Sequence, residues 1–139
     1  MRGLVTFVGV AHPWMCDVMG HMNVRHYAGM FDDASFQLLG HIAGKIPDDS
    51  FGWADVRATT EYKQEVPAGD LLTIRSHVLK VGRSSVTFRQ MMVGSLDGEL
   101  RAVNETTTVC FDKIARRSTE LGPDMRVRAE KLLADYPAG

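Results

Sequence analysis

The feature that most constrains this chain is a single helical run set ahead of a series of β-type runs. From Val24 onward, Tyr27, Ala28, Phe31, Ala34, Leu38 and Leu39 recur at three- and four-residue spacing, with Arg25, His26, Gly29, Asp33 and Gln37 opposite. That period predicts one long helix over about 24–43. Met30 and Phe36 lie off the stripe, so the apolar arc is wider than a surface helix needs, and a sheet curling round the helix is expected. After "GKIPDDSFG" the period changes. Runs rich in β-branched and aromatic residues, about 53–65, 71–81, 86–94 and 99–111, are separated by "PAGD" (67–70), "GRSS" (82–85) and "SLDG" (95–98). Turn chemistry this compact predicts three hairpins between antiparallel neighbours. The opening "MRGLVTFVGVAHPW" reads as a first strand, because its short apolar run is interrupted by Gly, Thr and His and suits neither a signal nor a membrane segment. Near the other end, Pro123 suits a first helical turn, and Met125, Ala129, Leu132, Leu133 and Tyr136 share a stripe, predicting a short C-terminal helix. The expected layout is α+β: a strand, a long helix, then four antiparallel strands, with one sheet wrapped around one central helix.

A length of 139 residues suits one domain spanning 1–139, with a core of its own. The formal charge of −1 and a 45% hydrophobic content exclude a nucleic-acid-binding charge excess and disorder, and point to a small partner rather than to nucleic acid or a membrane. Cys16 and Cys110 are the only cysteines and form no CxxC spacing. That argues against a disulfide framework or a structural metal, and makes a cytoplasmic location the expectation.

The chemistry is concentrated in "DVMGHMN", Asp17 to Asn23, a polar insertion in an apolar, methionine-rich stretch just before the helix. A carboxylate such as Asp17 can attack a carbonyl or deprotonate a water; it can equally cap a turn or a helix. Gly20 permits a backbone turn and a close approach to a ligand. His21 can orient a carbonyl or water, or serve only structure. Asn23 suits the N-cap position, and beyond it the free N–H groups at the helix start present donors and partial positive charge. Met15, Met19, Met22 and Met30 read first as core filling and second as the wall of an acyl pocket. Cys16 reads as a small hydrophobe, and Asp32 and Asp33 as a solvated face, since adjacent helical residues diverge by about 100°.

The run Asp17-Val-Met-Gly20-His21-Met-Asn23-Val-Arg-His-Tyr27 resembles the signature of the hotdog-fold thioesterases, in particular the 4-hydroxybenzoyl-CoA thioesterase-like group. "EYKQEVPAGDLLTIRSHVLKVGRSSVTFRQMMV" and "ELRAVNETTTVCFD" are similar to the same family's strand and turn pattern, so the likeness spans roughly 8–112. It implies hydrolysis of an acyl-CoA, or an acyl carrier protein thioester, without a metal or redox cofactor. Asp17 is then the nucleophile or general base, and the backbone N–H of Val24 the oxyanion donor, with His21 and Asn23 beside them. One common form of the motif has an asparagine where Val24 stands, and another subgroup has a histidine there. Substrate contacts are implied at Gly20, Tyr27, Arg83, Ser84 and Ser85, the last three in a turn that meets pantetheine or nucleotide. Lys80 and Arg89 near that turn read as ordinary strand charge. The resemblance also implies a homodimer or homotetramer with sites at the interface, because a single curled sheet leaves an edge strand unpaired. Two other readings stay open: a non-catalytic acyl-thioester-binding or assembly subunit, and an enoyl-CoA hydratase, whose usual Asp/His motif is not found here.

Overall fold

The computed structural model describes residues 3–133. Its elements, in order, are β1 (Leu4–Val10), a 3-10 turn (Pro13–Met15), α1 (Val24–Ala43), β2 (Phe51–Tyr62), β3 (Leu71–Val81), β4 (Ser85–Gly94), β5 (Leu100–Asp112), β6 (Arg117–Ser118) and α2 (Pro123–Lys131). The strands form one sheet in the order β1-β3-β4-β5-β2, with β6 added to β5, and every pairing is antiparallel.

Two of the three expected hairpins are present, β3 to β4 and β4 to β5. The third expectation is corrected: "PAGD" does not join neighbouring strands, because β2 lies at the far edge beside β5 while β3 sits between β1 and β4. The turn itself forms, with Asp70 N–H donating to Pro67 O at 3.2 Å. A turn reverses the chain locally without choosing the strand that it pairs with. The 63–70 connector must cross three strand spacings, about 14 Å, which lies well within the roughly 26 Å that eight extended residues can span.

Helix α1 starts at Asn23, whose backbone is extended, and ends at Gly44, whose φ of 73° is the left-handed conformation that glycine supplies readily. Its inner face lies mainly over β1, with β3 and α2 beside it. Tyr27, Met30, Phe31 and Ala34 pack with Ile74 and Met92 at the N-terminal half, and Leu38 and Ile42 pack with Val78 and Phe88 at the other. Leu38 and Ile42 are fully buried, so truncating either to alanine would cost about 2–5 kcal/mol. The expected apolar arc is narrower than its sequence: Val24, Ala28 and Phe36 are exposed, while Ser35 is buried in their place. Met19 is likewise exposed, whereas Met22 and Met30 fill the core. Helix α2 covers the second core cluster through Ala129, Met125 and Leu132. Leu133 is half exposed, and Tyr136 lies outside the described residues. No helix among the described residues is long and apolar enough to cross a membrane.

Candidate active site

The segment between the 3-10 turn and α1 folds back on itself, bridging Cys16 to Met22. Gly20 N–H donates to Asp17 O at 2.9 Å, and Asp17 N–H to His21 O at 3.1 Å. Gly20 has a φ of 82°, a conformation that side chains with a Cβ resist, so a glycine closes this turn. The loop is then fastened at two further points. Asn23 N–H donates to Met15 O at 2.9 Å, and Met22 N–H donates to Val66 O on the connector at 2.8 Å. His21 forms an isolated bridge with Pro67 of the same connector.

The Asp17 carboxylate is exposed and held by two donors. Oδ1 accepts from the Met19 backbone N–H and Oδ2 from Asn23 Nδ2, each at 2.9 Å. The Asn23 amide lowers the Asp17 pKa most, followed by the Met19 N–H; burial opposes them and the nearby His21 adds to them. Asp17 is therefore ionised at neutral pH, and each oxygen keeps lone-pair capacity for another donor. Asn23 faces both ways: while Nδ2 holds the carboxylate, its Oδ1 accepts from Arg25 N–H at 3.0 Å, capping α1.

At the start of α1, Arg25 N–H is taken by the Asn23 side chain, and His26 N–H by Asn23 O at 2.9 Å. Val24 is the first helical residue, so its N–H has no intrahelical acceptor, and it sits at the positive end of the helix dipole. It borders a pocket of about 270 Å³ lined by His21, Met22, Tyr27, Tyr62 and Glu65 among others. Tyr27 is buried and meets Tyr62 edge-on, ring centroids 5.0 Å apart. Burial, then the neighbouring Tyr62, pushes the Tyr27 hydroxyl pKa up, so it stays protonated. His21 Nε2 lies 3.0 Å from Glu65 Oε2.

Asp17, Gly20, His21, Asn23, Val24 and Tyr27 are thus brought to one end of the sheet. Arg83, Ser84 and Ser85 are not. Leu71 pairs with Val10 at the site end, and β3 carries the chain roughly 33 Å away before the 82–85 turn. Arg83 is exposed with Nε 3.7 Å from Glu120, Ser84 O accepts from Cys110 N–H, and Ser85 O accepts from Gly82 N–H. Arg89 pairs with Glu105 at 2.8 Å, in keeping with a structural charge. Cys16 is half-buried with a free thiol. Asp32 is less simply solvated than expected: it borders a separate cavity of about 510 Å³ with Phe36, Trp53 and Asp55, and burial, then Asp55 and Asp33, raise its pKa. Sequence reasoning missed the 63–70 connector as a wall of the site, together with Glu65, because its only legible signal was a turn. Among the described residues no cluster of three or more His, Cys, Asp or Glu could hold a metal.

Comparison with known proteins supplies the family. No curated protein matches the sequence. Among solved structures, SAV2348 of Staphylococcus aureus, determined in complex with CoA, is 16% identical with a TM-score of 0.82, covering 100% of this chain and 92% of its own. Slr0204 of Synechocystis, a 1,4-dihydroxy-2-naphthoyl-CoA thioesterase, is 16% identical with a TM-score of 0.78, covering 96% and 98%. HI0827, a hexameric broad-specificity acyl-coenzyme A thioesterase, is 19% identical with a TM-score of 0.75, covering 94% and 95%. These likenesses establish the hotdog fold. The family model for the thioesterase-like superfamily matches residues 11–129, nearly the whole described chain and all of the site loop. The chain therefore belongs to the thioesterase-like superfamily, a thioester hydrolase built on the hotdog fold.

Proposed function

We propose that this chain hydrolyses the thioester of a small or medium acyl-CoA, with Asp17 as the reacting carboxylate and the Val24 N–H as the oxyanion donor. The observation that carries the reading is the double role of Asn23, which ties the Asp17 carboxylate to the N-terminus of α1. A carbonyl bound there has an ionised carboxylate on one side and an unpaired backbone donor on the other. As a general base, Asp17 takes a proton from water while the water oxygen bonds to the thioester carbon. As a nucleophile, its oxygen bonds to that carbon, giving a mixed anhydride that water then cleaves. In either course negative charge grows on the carbonyl oxygen and is met by Val24 N–H. In the general-base course the C–S bond breaks once water has added, and in the nucleophilic course it breaks as the anhydride forms, before water attacks; in both the thiolate leaves and is protonated. CoA is the favoured carrier because the similar protein SAV2348 was solved with CoA and two other similar proteins are named as CoA thioesterases; an acyl carrier protein thioester presents the same reacting atoms.

The functional unit in this reading is at least a homodimer. β2 is an edge strand with Val56 and Tyr62 exposed, and Val24, Ala28 and Phe36 are exposed on α1. A second copy added antiparallel along β2 covers that edge and sets the 82–85 turn of one copy at the same end of the joined sheet as Asp17 of the other. Light scattering should find a dimer or larger assembly at the concentrations of the assay; a fully active monomer would overturn this part. The enzymatic reading is tested by a screen over short, branched, aromatic and long acyl-CoAs that reads free thiol. Turnover is expected on at least one class, and none on any of them would favour a carrier-protein substrate or a binding subunit.

A further inference from the structure

Arg101, near the start of β5, is an arginine with only 9% of its side chain exposed. Its guanidinium spends its donors on four acceptors: Asp70 Oδ2 at 2.9 Å, Asp97 Oδ2 at 3.0 Å, Gln64 Oε1 at 2.7 Å and Glu99 O at 3.2 Å. The fold makes room for it, because a Cβ at Gly94 would collide with the Arg101 guanidinium and the Asp97 carboxylate. A compensated buried charge of this kind adds little stability over a well-packed apolar residue, so stability alone does not account for it. What a planar five-donor fork supplies is geometry.

The geometry it fixes is that of the 63–70 connector. Gln64 and Asp70, near its two ends, are both held by the guanidinium, and Lys63 N–H and Gln64 N–H donate to Arg101 O at 2.8 and 3.1 Å. Between those ends the connector carries all of its contacts with the catalytic loop that were described above. Val66 O accepts from Met22 N–H, Glu65 meets His21, and Pro67 bridges to His21. His21 O in turn accepts from Asp17 N–H. We infer that Arg101 is a positioning residue for the hydrolysis proposed above, and so rests on that reading: it sets the connector on which the Asp17 loop is seated, and touches no substrate itself.

Arg101→Lys keeps the positive charge but cannot reach Asp70, Asp97 and Gln64 together, since an ammonium is a compact point donor. With the wild-type protein's best acyl-CoA, kcat should fall about tenfold while KM stays within about twofold, because displacements of an ångström or less at a reacting group carry penalties of that size. A second variant, Arg101→Met with Asp70→Asn and Asp97→Asn, removes the uncompensated carboxylates, so it should regain thermal stability without regaining kcat. A merely structural arginine predicts that kcat per folded molecule recovers with stability. Amide hydrogen exchange gives a readout independent of turnover: protection across 16–23 should drop in either variant while the amides around Val86 and Phe88 keep theirs. Native kcat in either folded variant, or unchanged exchange at 16–23, would overturn the inference. A wild-type protein inactive on every acyl-CoA would instead refute the acyl-CoA reading, and the exchange data would still decide whether Arg101 positions the Asp17 loop.

Discussion

Replacing Asn23 separates its two bonds, because they serve different purposes. Its Oδ1 caps α1 by accepting from Arg25 N–H at 3.0 Å, and its Nδ2 holds Asp17 Oδ2 at 2.9 Å. Serine caps helices about as well as asparagine, but its short hydroxyl cannot also reach back to the carboxylate as a donor; alanine does neither. Losing the cap costs about 1 kcal/mol, which lowers the melting temperature of a chain of this size by about 4 °C. Asn23→Ala should show that drop and Asn23→Ser should not. Both should lose kcat by about ten- to a hundredfold, the range expected when a reacting group drifts by up to about an ångström. The pH dependence adds an independent sign. Donation from Asn23 favours the ionised carboxylate and is the largest cause of the lowered Asp17 pKa, so the acid limb of kcat/KM in the wild type should lie below the ordinary value of 3.8. In both variants that limb should move up toward it. Thiol release from pH 3 to 8 measures kcat and the acid limb, and a thermal melt followed by near-UV circular dichroism verifies folding and gives the melting temperature. Asn23→Ser with wild-type kcat and an unmoved acid limb would show that the amide only caps the helix.

Two further substitutions probe the rest of the site. Val24→Pro deletes the proposed oxyanion donor at the one helical position where proline is readily accepted, so it should remain folded and bind substrate yet turn over roughly a hundredfold more slowly than the Val24→Ala control; equal rates for the two would move the oxyanion to another donor, with His21 the first to examine. Arg83→Ala should raise KM for CoA thioesters more than for truncated pantetheine thioesters, since an exposed arginine matters mainly when a phosphate pairs with it; equal effects on both would remove the 82–85 turn from the substrate path.

The local elements of this fold are readable from the sequence and their partners are not. The three- and four-residue spacing delimits α1 at Val24 and Ala43, and the turn residues delimit β3 at Leu71 and Val81, because periodicity and turn chemistry are properties of neighbouring residues. "PAGD" marks a reversal just as legibly, yet whether β2 then lies beside β3 or beside β5 is decided by packing across the sheet, which no local signal carries. Phe36 shows the same limit: at helical spacing an apolar residue destined for solvent, or for a second copy, reads like one destined for the core. At the site, Asn23 is legible as a cap because capping needs only the residues next to it. Its second bond, to Asp17, depends on the turn at Gly20, and the seat of that turn depends on Val66, Pro67 and Arg101, far along the chain. An arginine at the start of a β run carries no mark of burial in sequence; only the meeting of Gln64, Asp70 and Asp97 around it reveals the role.

The most direct test of the account is the turnover of Asp17→Asn on the acyl-CoA that the wild-type protein hydrolyses best. The amide is nearly isosteric with the carboxylate but is neither a base nor a useful nucleophile, so the fold and substrate binding should survive while kcat falls by about two to four orders of magnitude. A purified, folded Asp17→Asn protein that releases thiol at the wild-type rate would contradict the account and leave Asp17 as a residue that only shapes the turn before the helix.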